Sequence, residues 1–205
     1  MDLLNILGDF KNPPTFTEKV DNVIFGLGNP GEQYALTRHN VGFIIADNFV
    51  ENLDSVRVSH FGDAEIKTGK FKSKTIAVVK PLTFMNRSGD AVDAIVKVFD
   101  LSLSAIMVVV DDFNIPSGTL RVRKNGSTGG HNGLKSIHAQ VGGDYPRMRV
   151  GIGPLPDGIS VIDFVLGRFS EQEFSALKEI VPDAVGALKI FLENSVEAAM
   201  NAYNK

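Results

Sequence analysis

The stretch VIFGLGNPGEQYALTRHN, residues 23–40, constrains the fold more than any other part of the chain. Val23, Ile24, Phe25 and Leu27 form a short β-branched and aromatic run without helical periodicity, which predicts a buried first strand of a parallel or mixed sheet. Gly28, Asn29, Pro30 and Gly31 break that run. From Val41 onward, apolar residues at 41, 44, 45, 49 and 53 recur every three or four positions, so a helix with one buried face is expected to begin near Thr37, its N-cap. His39 falls in the first turn of that helix, where the positive end of the dipole favours the neutral imidazole that a general base must be. A nearby carboxylate would be needed to orient it.

Gly26, Gly28 and Gly31 also spell G-x-G-x-x-G after a strand, the dinucleotide fingerprint. In that fingerprint the third glycine opens a helix whose free N–H groups reach a pyrophosphate. Here Glu32 to Leu36 intervene and Pro30 removes a donor, so the pattern argues against a dinucleotide site.

The remaining chain alternates strands and helices. Residues 65–71 and 74–79 resemble two strands joined at Lys72 and Ser73, expected as a solvated hairpin. A helix carries Val92, Ile95, Val96 and Phe99, and 106–110 is a buried strand ending at Asp111 and Asp112. Residues 119–124 alternate with Arg121 and Arg123 on one face. GSTGG is a flexible loop, 131–141 a helix and 148–153 a strand. Two C-terminal helices follow, the second with a buried stripe of Val185, Leu188, Phe191, Leu192, Val196 and Met200. This order predicts an α/β fold, a three-layer αβα single domain with a mixed, mostly parallel twisted sheet. Ligands in such sheets gather at the carboxyl ends of strands, where Asn29, Asn86 and Asp112 all fall.

Size sets the domain count: 205 residues suit one substantial core, with residues 1–22 as an N-terminal extension and 23–205 as the folded domain. Residues 11–18 read as a linker, and 3–7 as a short helix that could dock. A net charge of -3 disfavours non-specific coating of nucleic acid, though it allows a local basic surface. With no cysteine, a thiolate metal site, a disulfide framework and a cysteine nucleophile are excluded. No apolar run is long enough to span a bilayer, and the first residues lack a signal or transit composition. A cytoplasmic protein without a membrane role is expected.

Five segments, GLGNPG (26–31), TRHN (37–40), TFMNRSG (83–89), VVVDD (108–112) and GSTGGHNGLKS (126–136), together resemble the bacterial-type peptidyl-tRNA hydrolase family, in order and at similar spacing. The resemblance implies hydrolysis of the ester between a peptide and the 3′ ribose of tRNA, with no cofactor and no metal. It makes His39 the general base and Asp112 the acid that orients it, although from the residues alone either Asp111 or Asp112 could face inward. It further implies that Asn86 and Asn132 bind the tRNA end and the peptide backbone, that Asn29 helps recognise a blocked substrate, and that Tyr34 and Phe84 contact the 3′ terminus. Met85 and His131 are expected as cleft neighbours. Arg121, Arg123, Lys124, Lys135, Arg147 and Arg149 are candidates for a phosphate-binding patch, against a solvated strand face as the plainer reading. Asn114 departs from the family's D-D-x-D-x-P segment, where an acid usually stands. The expected partner is tRNA, and the expected state a monomer. The alternative of a different class is a non-catalytic RNA-binding relative, and a nucleoside-processing enzyme of similar layering is a third; retention of His39, Asp112 and the three asparagines argues against the former.

Overall fold

The computed structural model describes residues 19–204, so the expected N-terminal linker and short helix lie outside the described residues. The first strand, β1 (Asn22–Gly26), is followed by a 3-10 turn at Glu32–Tyr34, a second at Arg38–Asn40 and helix α1 (Val41–Val50). Then come β2 (Asp54–His60), β3 (Ala64–Phe71), β4 (Lys74–Pro81), α2 (Ser88–Val98), β5 (Ile106–Pro116) and β6 (Leu120–Arg123). The chain closes with α3 (Asn132–Val141), β7 (Arg147–Gly153), α4 (Val161–Leu166), α5 (Glu171–Glu193) and α6 (Val196–Tyr203).

The seven strands form one sheet in the order β2-β3-β4-β1-β5-β7-β6. Its central four, β4, β1, β5 and β7, run parallel. The flanking pairs β2–β3, β3–β4 and β6–β7 are antiparallel, so the sheet is mixed. The period-two alternation of the strands divides the core. Ile24, Ile76, Val78, Met107, Val109, Met148 and Val150 face α1, α5 and α6. Val23, Phe25, Ala77, Val79, Ile106 and Val108 face α2 and α3. Helices on both faces of a sheet make the three layers.

Several local expectations change. The packed domain begins before Val23: Val20 is buried in the core, and Asp21 accepts the Thr75 backbone N–H. The 64–81 hairpin is not solvated, because β4 lies beside β1 and five of its eight residues in a row are buried. An exposed edge strand, β2, precedes it, with a left-handed residue at Ser55 and irregular register. The long apolar stripe of the C-terminus belongs to two helices, because Ser195 caps a new one and carries Val196 and Met200 with it.

The glycines of the first turn serve packing. A Cβ on Gly26 would strike the Gly42 carbonyl oxygen, and one on Gly42 would strike the Val109 carbonyl oxygen and the Leu27 backbone. Only bare backbone lets the start of α1 lie this close to β1 and β5. That contact brings His39, three residues before Gly42, to the carboxyl ends of the central strands.

Candidate active site

His39 lies in the 3-10 turn rather than in the α-helix, and three contacts fix that turn. Arg38 donates through Nε and Nη2 to both carboxylate oxygens of Glu173, at 2.9 and 2.8 Å, and stacks over the Phe164 ring at 4.4 Å. Asn40 closes a two-way bond with the first turn: its Oδ1 accepts the Asn29 N–H and its Nδ2 donates to the Asn29 carbonyl, both at 2.9 Å. A bridge between Thr37 and Arg168 ties the turn to the segment after α4.

The acid beside His39 is Asp111, which corrects the assignment of that role to Asp112. His39 Nδ1 lies 2.7 Å from Asp111 Oδ1, and both side chains are buried. The strand β5 continues through both aspartates, so adjacent side chains point to opposite faces and only one can meet the imidazole. Asp112 turns to Arg149, with Oδ2 at 3.0 Å from Nε, and its Oδ1 accepts the backbone N–H and the Nδ2 of Asn114. Asn114 can donate to that carboxylate through its side chain, which an ionised aspartate there could not do.

Asp111 Oδ1 also lies 3.0 Å from His131 Nε2. His131 caps α3: its Nδ1 accepts the Leu134 N–H at 3.3 Å, so Nε2 carries the ring proton and donates to the carboxylate. On His39 the same logic places the proton on Nδ1 and leaves the Nε2 lone pair for chemistry, since an ionised carboxylate only accepts. Burial would raise the Asp111 pKa, yet the two histidines and their hydrogen bonds hold it far below the ordinary carboxylate range. For His39, burial pulls the pKa down, but the charge and hydrogen bond of Asp111 outweigh it and the pKa is raised. The expectation that a helix dipole keeps this ring neutral therefore fails: the carboxylate dominates.

A cleft opens over this group. It is lined by His39, Asp111, Asp112, Phe113, Gly129, Gly130, His131, Asn132, Arg149, Val161, Ile162 and Val165. One end is polar and the other, from α4, is apolar. His39, Asp111 and His131 also hold ligand-type atoms within 4.8 Å of one another. A metal there would need the lone pair of His131 Nε2, which bears the proton while Nδ1 serves as the helix cap. These donors fit a proton-holding cluster better than a metal site.

The other candidates divide. Asn132, exposed at the first position of α3, lines the cleft. Asn29 is buried and its Oδ1 accepts the Met85 N–H at 2.8 Å, so its amide donors are what it can still offer. Met85 is buried against the start of α3, where a Cβ on Gly133 would meet its Sδ. Asn86 is exposed in the 3-10 turn before α2. Tyr34 and Phe84 meet edge to face with centroids 6.4 Å apart, and Phe84 is 56% exposed.

The six basic residues do not form one patch. Arg147 is 1% exposed, which removes it as a phosphate contact. Arg149 lies in the cleft, Arg121 is half-buried beside Asp183 and Tyr203 in a separate depression, and Lys124 pairs with Glu197 at 2.9 Å. Arg123 and Lys135 are exposed. Sequence reasoning passed over Arg38, Asn40 and the apolar wall of α4. Asn40 ends the TRHN segment and was legible there; the partners of Arg38 lie 126 and 135 residues away.

An α/β domain with a buried imidazole–carboxylate pair beneath an open cleft defines a hydrolase-type site. The peptidyl-tRNA hydrolase family model matches residues 23–205. The peptidyl-tRNA hydrolase of Fervidobacterium nodosum is 42% identical, over 89% of this chain and 95% of its own length. That of Thermotoga maritima is 44% identical over 89% and 96%. A crystal structure of peptidyl-tRNA hydrolase from Acinetobacter baumannii superposes with a TM-score of 0.83 at 30% identity, covering 91% of this chain and 98% of that one. The chain belongs to the peptidyl-tRNA hydrolase family.

Proposed function

We propose that this protein hydrolyses the ester joining a peptide, or an N-blocked aminoacyl group, to the 3′ ribose of tRNA, and so returns tRNA from aborted translation in the cytoplasm. The observation that carries the reading is the buried His39–Asp111 pair opening on a cleft that ends in Asn132. His39 Nε2 takes a proton from water as the oxygen attacks the ester carbonyl, and Asp111 stabilises the imidazolium that forms. That proton then passes to the departing ribose oxygen, leaving a peptide acid and a free 3′ hydroxyl. Asn132 and Asn86 supply neutral donors to the peptide carbonyl and the tRNA end. Tyr34 and Phe84 offer aromatic faces to the terminal base, each worth ~1–3 kcal/mol in such stacks. The apolar side of the cleft, from Val161, Ile162 and Val165, receives the peptide. The state proposed for the protein is a monomer. The described helices include none long and apolar enough to cross a membrane.

Selectivity tests the reading. A free α-amino group is largely cationic near neutral pH, whereas an acylated one is a neutral amide. Asn29 has its oxygen committed to the Met85 N–H, which leaves its amide N–H groups as the donors that would pair with an amide carbonyl and oppose an ammonium. N-acetyl-aminoacyl-tRNA should be cleaved at least tens of times faster than the unblocked form, the ratio that mispairing of ~2–3 kcal/mol gives. Asn29→Asp keeps an acceptor for Met85 but attracts the cation, and should narrow the ratio. Equal kcat/KM values on the two substrates in the wild type would overturn the assignment.

A further inference from the structure

Arg147 projects from β7 toward the α2 and α3 side of the sheet and is enclosed there. Burying a guanidinium is costly unless its N–H groups are satisfied. Its partners here are carbonyl oxygens and a ring nitrogen. Nη1 donates to the Gly126 carbonyl at 2.7 Å and to His138 Nε2 at 3.1 Å. Nη2 donates to the Gly143 carbonyl at 2.6 Å and the Tyr145 carbonyl at 3.2 Å, and the guanidinium lies over the Tyr145 ring at 4.2 Å. One planar fork thus holds the loop that enters α3, a side chain within α3 and the loop that leaves it. Burial and the adjacent guanidinium both lower the His138 pKa, which keeps Nε2 an acceptor.

The entering loop is the wall of the cleft. Gly129 and Gly130 line it, and it delivers His131 and Asn132. A second arginine of the same strand supports it, because a Cβ on Gly129 would strike the Arg149 guanidinium. All three glycines of residues 126–130, Gly126, Gly129 and Gly130, have positive φ, so the loop has little conformational bias of its own toward one path.

We infer that Arg147 is a positioning residue for the hydrolysis: by clamping the loop at residues 126–130 it sets where His131 and Asn132 stand relative to the His39–Asp111 pair. This rests on the reading of the cleft as the hydrolytic site. Lysine cannot replace it, since a single ammonium cannot span carbonyls on both sides of α3 in the geometry of the fork.

The test compares wild type, Arg147→Ala and Arg147→Lys in steady-state hydrolysis of N-acetyl-aminoacyl-tRNA, with hydrogen exchange of the loop amides read alongside. Displacing catalytic groups by about 1 Å costs on the order of 10²-fold, so Arg147→Ala should lose about 10- to 100-fold in kcat per folded molecule, with KM changed less than about threefold. Added guanidinium at non-denaturing concentration should restore part of that rate in Arg147→Ala and leave wild type unaffected. Exchange should quicken over residues 126–132 while β1 and β5 stay protected. A purely structural arginine would instead lower the melting temperature and the folded fraction, with kcat per folded molecule unchanged and no rescue; that outcome overturns the inference. Should Arg147→Ala fail to fold, Arg147→Lys decides: a wild-type kcat with unchanged loop exchange overturns it, and a fall in kcat with faster loop exchange supports it. A wild type that cleaves no blocked aminoacyl-tRNA would count against the hydrolase reading, while the exchange comparison would still report on the clamp.

Discussion

Asp111→Asn separates the two neighbouring acids. The amide keeps an oxygen where Asp111 Oδ1 stands, so both ring N–H groups, from His39 at 2.7 Å and His131 at 3.0 Å, retain an acceptor. What disappears is the charge. A hydrogen bond to a charged group is worth ~1.5–3 kcal/mol, which at about 1.4 kcal/mol per decade is roughly a 10- to 150-fold loss of rate. Burial of both partners places the effect at the upper end. The pH profile should move as well. In the wild type His39 has a pKa raised by Asp111, so kcat/KM climbs as the ring deprotonates above its ordinary value of 6.5. Without the charge, burial outweighs the neutral hydrogen bond that remains, so in Asp111→Asn the acid limb shifts to lower pH while the plateau drops. Asp112→Asn breaks the contact with Arg149 and leaves His39 alone, so its loss should be under about tenfold and its limb unmoved. The assay is kcat/KM on N-acetyl-aminoacyl-tRNA from pH 5 to 9 for the three proteins. An Asp111→Asn enzyme with more than a tenth of wild-type activity and an unshifted limb, beside a crippled Asp112→Asn, would refute the reasoning.

His39→Ala should lower single-turnover rates by ~10²–10⁴ while tRNA affinity stays within a few fold, because a general base contributes little to ground-state binding; a rate above about a tenth of wild type would remove His39 from the role. Arg38→Ala removes a bidentate pair to Glu173 that is largely shielded from solvent. At ~1.5–3 kcal/mol this should lower the melting temperature by roughly 3–10 °C, and thermal denaturation with an unchanged midpoint would show the pair to be idle. With Arg147 buried and Arg121 in a separate depression, four of the basic candidates, Arg123, Lys124, Lys135 and Arg149, are left to meet about four phosphates, and tRNA binding should weaken roughly 50-fold between 50 and 200 mM salt. Binding that ignores salt would dismiss these residues as phosphate contacts.

What the sequence made legible follows from the range of each interaction. Period-two and period-3.6 patterns are local, and they located β1, β5, β7, α2 and α3 with their buried faces. The hairpin of residues 65–71 and 74–79 is legible but its burial is not, because lysines at 67, 70, 72 and 74 suggest a solvated face. In the fold Lys67 and Lys80 reach Asp47 and Glu65, Lys70 reaches the Thr75 hydroxyl, Lys72 pairs with Glu193, and Lys74 donates to the Leu192 carbonyl. Arg147 failed for the opposite reason. On a four-residue strand pair where Arg123 and Arg147 stand directly opposite, alternation places both on one face, and only the long-range return of the 126–130 loop decides that one is covered and the other is not.

Asp111 and Asp112 show where a local pattern stops being sufficient. Alternation along β5 guarantees that one acid faces each side of the sheet, so the sequence already contained a two-way choice. Which side holds the imidazole depends on where the turn before α1 lands. That is fixed by the Gly26–Gly42 approach, the Asn29–Asn40 pair and the Arg38–Glu173 pair together. With the turn over Asp111, His131 can reach the same oxygen only because α3 starts there, and its start is capped by His131 itself. The helix cap, the tautomer of His131 and the ionised state of Asp111 are therefore one arrangement. Changing any of the three alters the proton affinity of His39, which makes the pH limb of kcat/KM the most sensitive single readout of this site.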